Sequence, residues 1–105
     1  MNDRINKLRQ FLEKQPDDSF LQHALALEYV KMEDDATARQ HFETLLLRNP
    51  DYVGSYYHLG RLLERQGENE GAIKCYEKGI MVAKAANDNH AKSELQMALD
   101  DLLDE

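Results

Sequence analysis

The residues of this chain that most often hold metals or act as acids and bases in proteins are its four histidines: His23, His41, His58 and His90. No two of them have the i, i+4 spacing that places two imidazoles on one face of a helix, and the chain contains no HExxH motif. The sequence therefore predicts no metal site. It favours surface or groove positions for these side chains.

Nucleophilic catalysis would have to start from Cys75, the single cysteine. Lys74 and Lys78 lie close to it along the chain and would lower a thiol pKa, but nothing nearby supplies a general base or oxyanion donors. The glycines form no phosphate-binding loop, because no strand precedes them and the lysine-serine/threonine ending is missing. We predict a protein that is not an enzyme and needs no cofactor. An enzyme built from scattered residues is the remote alternative.

Charge is distributed unevenly along the 105 residues. The net charge is −7, but residues 88–105 carry −5 of it and the first 87 residues only −2. Hydrophobic residues make up 42% of the chain and charged residues 31%, a balance typical of globular proteins. The length has room for one compact domain or a short repeat array, and we predict a single domain over residues 1–105.

The expected location is the cytoplasm. One cysteine allows no intramolecular disulfide, which fits a reducing compartment. Charged residues interrupt the first 20 positions, so no signal peptide is predicted. No stretch approaches the roughly 20 apolar residues of a membrane span, so no membrane partner is expected.

A period of 34 residues organises the chain. Pro16 and Pro50 stand in the related segments KQPD and RNPD, and a shift of 34 also pairs Leu25 with Leu59. Apolar residues within each period recur every three or four positions and are interrupted once by a short polar turn, which predicts two helices per period. Each proline falls where a helix has ended, and the aspartate after it is placed to cap the next helix.

The repeated pattern resembles the tetratricopeptide repeat (TPR) family. The resemblance covers residues 19–86 and implies an all-α fold of about six helices, in which antiparallel helix hairpins stack as a short right-handed superhelical solenoid. It also implies a function in protein–protein interaction. The signature positions are Leu25, Ala26, Tyr29, Ala38, Phe42 and Pro50 in one repeat, and Tyr56, Leu59, Gly60, Gly67, Ala72 and Tyr76 in the next.

Four segments follow from this alignment. Residues 3–16 match the second helix of a repeat and form an N-terminal half-repeat. Residues 19–52 are repeat one, and residues 53–86 are repeat two. Residues 88–103 are a capping helix with a polar outer face formed by Lys92, Glu94 and Asp101, because the end of a repeat array meets water.

The resemblance implies a concave groove lined by the first helix of each repeat, which would hold a peptide or a partner segment. Its inward rows would be His23, Leu27 and Lys31, and Tyr57, Arg61 and Arg65. Arginine pairs with carboxylates and flat rings offer apolar surface, so an acidic ligand with an apolar anchor is predicted.

The alternative is that Lys31, Arg61 and Arg65 are solvated surface paired with neighbouring glutamates. The lysine and asparagine positions of the family's clamp for chaperone tails are not matched, so that ligand is not implied. Nucleic acid is not expected as a partner, because helix-repeat RNA readers use many more repeats.

A second function that the sequence supports is self-association as a structural scaffold. A short array gains stability from added neighbours, and the last segment ends in an apolar stripe that could pair with another copy to form a homodimer. The stripe consists of Leu95, Leu99, Leu102 and Leu103.

Gly60 is unexpected inside a helix, where glycine costs about 1 kcal/mol relative to alanine. The period aligns it with Ala26, and we expect both to face small partners, Ala38 and Ala72, where two helices cross closely. On this interpretation Gly60→Leu unfolds the second repeat and Gly60→Ala is mild.

Overall fold

The computed structural model describes residues 2–104. Within them the chain forms six α-helices and no strand. They are α1 (Asp3–Lys14), α2 (Ser19–Lys31), α3 (Asp35–Arg48), α4 (Gly54–Arg65), α5 (Asn69–Ala85) and α6 (Asn89–Leu103). The prediction of an all-α fold of about six helices is confirmed.

The helices fall into two compact units. Unit 1 ends at Asn49 and contains α1, α2 and α3, with α2 packed against both of the others. Unit 2 begins at Pro50 and contains α4, α5 and α6, each of which contacts the other two. The single domain over residues 1–105 and its repeat boundaries stay predictions.

Aspartate caps begin three of the helices. The side chains of Asp18, Asp34 and Asp88 each accept a hydrogen bond from the backbone N–H three residues further on, at 3.0 to 3.2 Å. Such a bond satisfies one of the N–H groups that a helix start leaves open. The prediction that the residue directly after proline is the cap was wrong for α2, because Asp18 rather than Asp17 occupies that position.

The start of α4 uses a different arrangement, so the predicted cap after Pro50 was also wrong. Its first residues are preceded by helical Val53, with no side-chain cap. The backbone carbonyl of Tyr52 accepts instead from Ser55 N–H at 3.3 Å. The hydroxyl of Tyr56 donates a hydrogen bond to the carbonyl of Pro50 at 2.6 Å, which ties the loop before α4 to the first turn of that helix.

The same tight turn joins α2 to α3, α4 to α5, and α5 to α6. Each turn has one residue in the left-handed region, at Glu33 (φ 61°), Gly67 (φ 77°) and Asn87 (φ 58°). The N–H of the next residue bonds to a carbonyl five residues earlier, at 2.9 Å in all three turns. This is the Schellman motif, in which such a hydrogen bond satisfies a backbone carbonyl in the last turn of the helix. Helix α6 therefore folds back on α5 as α5 folds back on α4.

The turn predicts opposite effects for two neighbouring glycines. Gly67→Ala should lower the free energy of unfolding of unit 2 by about 1 kcal/mol, because alanine is strained at positive φ. Gly71→Ala should raise it by up to about 1 kcal/mol, since alanine is the better helix former. A Cβ at Gly71 would come no closer than 3.8 Å to another atom, so it meets no clash. Urea denaturation measures both; the same sign for the two variants would contradict the turn assignment.

The core of each unit lies between its helices. In unit 1 the fully buried side chains include Leu25 from α2 and Phe42 and Leu45 from α3. In unit 2 they include Leu62 from α4, Tyr76 from α5 and Leu95 from α6. Phe42 and Tyr76 stand 34 positions apart, so the period predicted equivalent core positions in the two units.

The side chain nearest to Gly60 is the large ring of Tyr76, not the small Ala72 that the sequence predicted. A Cβ on Gly60 would lie 2.2 Å from Cε1 of Tyr76 and 2.7 Å from Cδ1 and Cζ of the same ring. The ring crosses α4 at this position because its hydroxyl hydrogen-bonds to the Glu64 carboxylate, one turn along α4. Gly60 therefore leaves room for the Tyr76 ring, and this close contact argues against the expectation that Gly60→Ala is mild.

Helix α6 is an integral part of unit 2. Leu95, Leu99 and Leu102 are buried on its inner face together with Ala98. Gly79 of α5 lies at the junction, where a Cβ would come within 2.6 Å of Tyr56 Cβ and 3.0 Å of Leu95 Cδ1. Because Gly79 has no side chain, α5 can pack closely against both Tyr56 of α4 and Leu95 of α6 at this position.

Candidate functional site

The predicted groove residues of unit 1 are on α2, and two of them contact other side chains of the same unit. These residues are His23, Leu27 and Lys31. The His23 ring packs edge-on against Phe42, with ring centroids 5.8 Å apart. Leu27 is half-buried. Lys31 is exposed, but its Nζ lies 3.1 Å from Oε2 of Glu28. The glutamate pairing that the sequence offered as the alternative is therefore present for Lys31.

Glu28 connects α2 to α1. Its carboxylate accepts from Arg4 Nε at 3.2 Å as well as from Lys31, while only 6% of the residue is exposed. Burial works against the charged form, but the hydrogen bond and charge of Lys31, with those of Arg4, outweigh it and lower the pKa of Glu28. The carboxylate therefore stays ionised at neutral pH and binds both cations.

In unit 2 two of the three predicted residues, Tyr57 and Arg61, open onto a cleft between α4 and α6. The α4–α6 cleft has a volume of about 470 Å³. It is lined by Tyr57 and Arg61 from α4 and by His90, Glu94, Met97 and Asp101 from α6, with Ser93 and Ala98. Its size is within the range of ligand pockets in proteins.

Helix geometry places these side chains along the cleft. One tight turn reverses the chain between α4 and α5, and a second reverses it between α5 and α6, so α4 and α6 run in the same direction. Tyr57 and Arg61 are four residues apart on α4. His90, Glu94, Met97 and Asp101 follow at intervals of three and four on α6. Side chains at these spacings project from one face of a helix.

Arg61 is held at the cleft by a polar network. Its Nη1 lies 3.7 Å from Oε2 of Glu64, the oxygen that also receives the hydrogen bond of the Tyr76 hydroxyl. Burial first, and then the hydrogen bond to Glu64, raise the pKa of Tyr76, so the hydroxyl keeps its proton. The same tyrosine that requires glycine at position 60 therefore anchors the carboxylate beside Arg61.

Sequence reasoning found the α4 side of the cleft and missed the α6 side. Met97 is 67% exposed, yet it was not singled out, and Glu94 and Asp101 were assigned to a polar outer face. A usable signal was present, because residues 90, 94, 97 and 101 have helical spacing. The carboxylates of α6 change the charge of the site: Arg61 faces a wall with two acids. Arg65 is exposed one turn further along α4.

The four predicted self-association residues are placed differently from one another. Leu95, Leu99 and Leu102 are only 1%, 7% and 7% exposed, because they pack within unit 2. Leu103 is 58% exposed. Of the predicted apolar stripe, Leu103 alone is open to a second copy.

The histidines are dispersed over the described helices. His41 stacks on Tyr29 at 5.4 Å between centroids, and His58 packs edge-on against Tyr57 at 5.5 Å. Across residues 2–104, no group of three or more histidine, cysteine, aspartate or glutamate side chains is arranged to hold a metal ion.

Comparisons with known proteins agree with the repeat pattern. The sequence pattern of the tetratricopeptide repeat family matches residues 53–85, within the predicted second repeat. A TPR repeat-containing protein of Pseudomonas aeruginosa is 26% identical over 95 residues, which cover 90% of each chain.

Solved structures extend the similarity to the fold. The crystal structure of a tetratricopeptide repeat domain protein from Salinibacter ruber is 42% identical, with a TM-score of 0.79 over 81% of this chain and 94% of that one. The solution structure of a Bordetella parapertussis protein is 28% identical, with a TM-score of 0.84 over 98% of this chain and 90% of that one.

These matches define a helical-repeat protein of the helix-hairpin class. The chain belongs to the tetratricopeptide repeat family. Proteins of this family generally mediate protein–protein interactions and are typically non-enzymatic scaffolds. In the part of the chain that the structure describes, no helix is both long and apolar enough to cross a bilayer.

Proposed function

We propose that this protein is a non-enzymatic interaction module that binds a peptide or partner segment in the α4–α6 cleft. The observation that carries the proposal is the combination of exposed apolar surface with charged groups in one cavity of about 470 Å³. Large apolar side chains open to water inside a polar rim are typical of interaction sites. A cytoplasmic location is part of the proposal and rests on the single cysteine.

The chemistry of the cleft favours a ligand with an apolar anchor between charged groups. Met97 and the ring of Tyr57 provide the apolar contact, and methionine adapts its shape to different partners. An acidic group on the ligand would pair with Arg61 and, further along α4, with Arg65. A basic group would pair with the carboxylates of α6.

The corresponding row of unit 1, His23, Leu27 and Lys31, is proposed as a second contact surface on the basis of the family resemblance. Lys31 is exposed and would turn from Glu28 to a ligand carboxylate, while Arg4 would remain paired with the buried Glu28.

A binding experiment with a matched pair of methionines tests the cleft. Peptides selected on the wild-type protein from a random phage-displayed library would be titrated by fluorescence anisotropy. Met97→Glu should raise the dissociation constant about tenfold or more, because it places a charge on the apolar contact. Met81→Glu is the control, since Met81 is 66% exposed on α5 and Met97 67% exposed on α6.

Charge reversal on α4 adds an independent variant. Arg61→Glu with Arg65→Glu should abolish binding of the selected acidic peptides while the helical circular dichroism is unchanged. Equal affinity of wild type and Met97→Glu, or equal losses in Met97→Glu and Met81→Glu, would reject the cleft as the binding site.

A further inference from the structure

Helix α1 has an exposed face whose pattern is basic, aromatic, basic. Lys7, Phe11 and Lys14 are spaced four and three residues apart, so they follow one face of the helix. Phe11 is 54% exposed, and both lysines are exposed. The residues of α1 that are buried within unit 1 are Ile5 and Leu8, which leaves Lys7, Phe11 and Lys14 at the surface.

The α6 wall of the α4–α6 cleft has the complementary pattern of acidic, apolar, acidic. Glu94, Met97 and Asp101 are spaced three and four residues apart and all line the cavity. A rise of 1.5 Å per residue puts the two acids about 10.5 Å apart along α6, the same separation as between the two lysines along α1. In an antiparallel pairing, Lys14 meets Glu94, Phe11 meets Met97 and Lys7 meets Asp101.

The charges of the two chain ends support this pairing. Residues 3–14 contain four bases and two acids, whereas residues 88–105 contain six acids and one base. Opposite fields on two surfaces steer them together and fix their register. In a protein whose net charge is −7, residues 3–14 carry a net charge of +2.

We propose that α1 of one copy docks in the α4–α6 cleft of a second copy. A helix whose apolar residue enters a groove while flanking charges pair at the rim is a common mode of recognition. The proposal rests on the proposed function, because it names the occupant of the same cleft. It also assigns self-association to Phe11 and Met97, whereas the sequence had assigned it to the C-terminal leucines.

The contact is heterologous, since it joins different surfaces of the two copies. Each copy therefore offers one helix and one cleft, and association continues until a ring closes or the protein is used up. Because α1 occupies the cleft, self-association and the binding of another partner compete. The ion pairs lie at an exposed rim, so added salt weakens the association.

Sedimentation equilibrium on the full chain tests the pairing by charge exchange. In dilute salt, the weight-average mass of the wild type should rise from micromolar to millimolar protein. The α1 variant, Lys7→Glu with Lys14→Glu, and the cleft variant, Glu94→Lys with Asp101→Lys, should each weaken association about tenfold or more. Mixing the two variants should restore it, because each then meets a surface of opposite charge.

Lys74→Glu with Lys78→Glu is the matched control for the α1 variant. It makes the same change in net charge on the exposed surface of α5 and should associate as the wild type does. A wild type that stays monomeric at millimolar concentration, a control that dissociates like the α1 variant, or a mixture that stays monomeric would each overturn the proposal. If library-selected peptides still require Met97 in that case, the proposed function stands and only this occupant is wrong.

Discussion

Gly60→Ala should lower the free energy of unfolding of unit 2 by about 1 to 3 kcal/mol, although alanine is ordinarily the better helix former. The added Cβ would lie 2.2 Å from Cε1 of Tyr76. The ring cannot give way easily, because Tyr76 is fully buried and its hydroxyl is bonded to Glu64. Urea denaturation gives the difference from wild type.

A double-mutant cycle identifies the cause of that loss. Leucine at position 76 has no atoms where the outer ring atoms of tyrosine lie, so Gly60→Ala should cost little in a Tyr76→Leu background. Ala26→Gly, at the position one period earlier, is the control for helix propensity and should cost about 1 kcal/mol. A penalty for Gly60→Ala that persists in the Tyr76→Leu background would contradict the assignment of Gly60 to the Tyr76 ring.

Leu95→Ala should cost about 2 to 5 kcal/mol of unit 2 stability, because it leaves a cavity under α6. Leu95 is 1% exposed and lies against Gly79 of α5. Since α6 forms one wall of the α4–α6 cleft, the variant should also bind library-selected peptides more weakly. Thermal unfolding and anisotropy titration measure the two effects.

Leu103→Ala, in the same helix, provides the comparison. Leu103 is 58% exposed, so its truncation should change stability by less than about 0.5 kcal/mol. Comparing Leu95→Ala with Leu103→Ala also distinguishes a role in packing within unit 2 from a role in the association of two copies. If Leu95→Ala left stability unchanged and instead lowered the association of copies, the burial of Leu95 within unit 2 would be contradicted.

The 34-residue period predicted the helices well because it reports burial. Leu25 and Leu59, or Phe42 and Tyr76, occupy equivalent positions, and each is buried in its unit. Helix existence follows from such spacing, since one face of each helix must be covered. Helix starts were harder to predict, as Asp17 and Asp51 show, because a cap depends on where the backbone leaves extended geometry.

The packing at Gly60 could not be obtained from alignment. The period pairs Gly60 with Ala26 and Tyr76 with Phe42, and both differences were visible in the sequence. Their connection depends on the hydroxyl of Tyr76 reaching Glu64 across α4, which Phe42 cannot do in unit 1. The direction of a side chain in a core is set by its neighbours, and a one-dimensional pattern does not contain it.

The sequence predicted the α4 side of the α4–α6 cleft but not the α6 side. Tyr57 and Arg61 were found because the family resemblance points to the first helix of each repeat. Helix α6 lacks a clear counterpart 34 residues earlier, so no alignment indicated which of its polar residues face α4. Packing of the leucine face against α5 and α4 determines that Glu94, Met97 and Asp101 line the cleft.

The most direct test of the cleft as the binding site is paramagnetic relaxation enhancement with a library-selected peptide that carries a nitroxide label. Bound to the isotope-labelled protein, the peptide should broaden the amide signals of residues that line the α4–α6 cleft, with Tyr57, Arg61 and Met97 affected most. Signals around Met81 on α5 should stay sharp. Broadening centred on α5, with the cleft signals unchanged, would contradict the account.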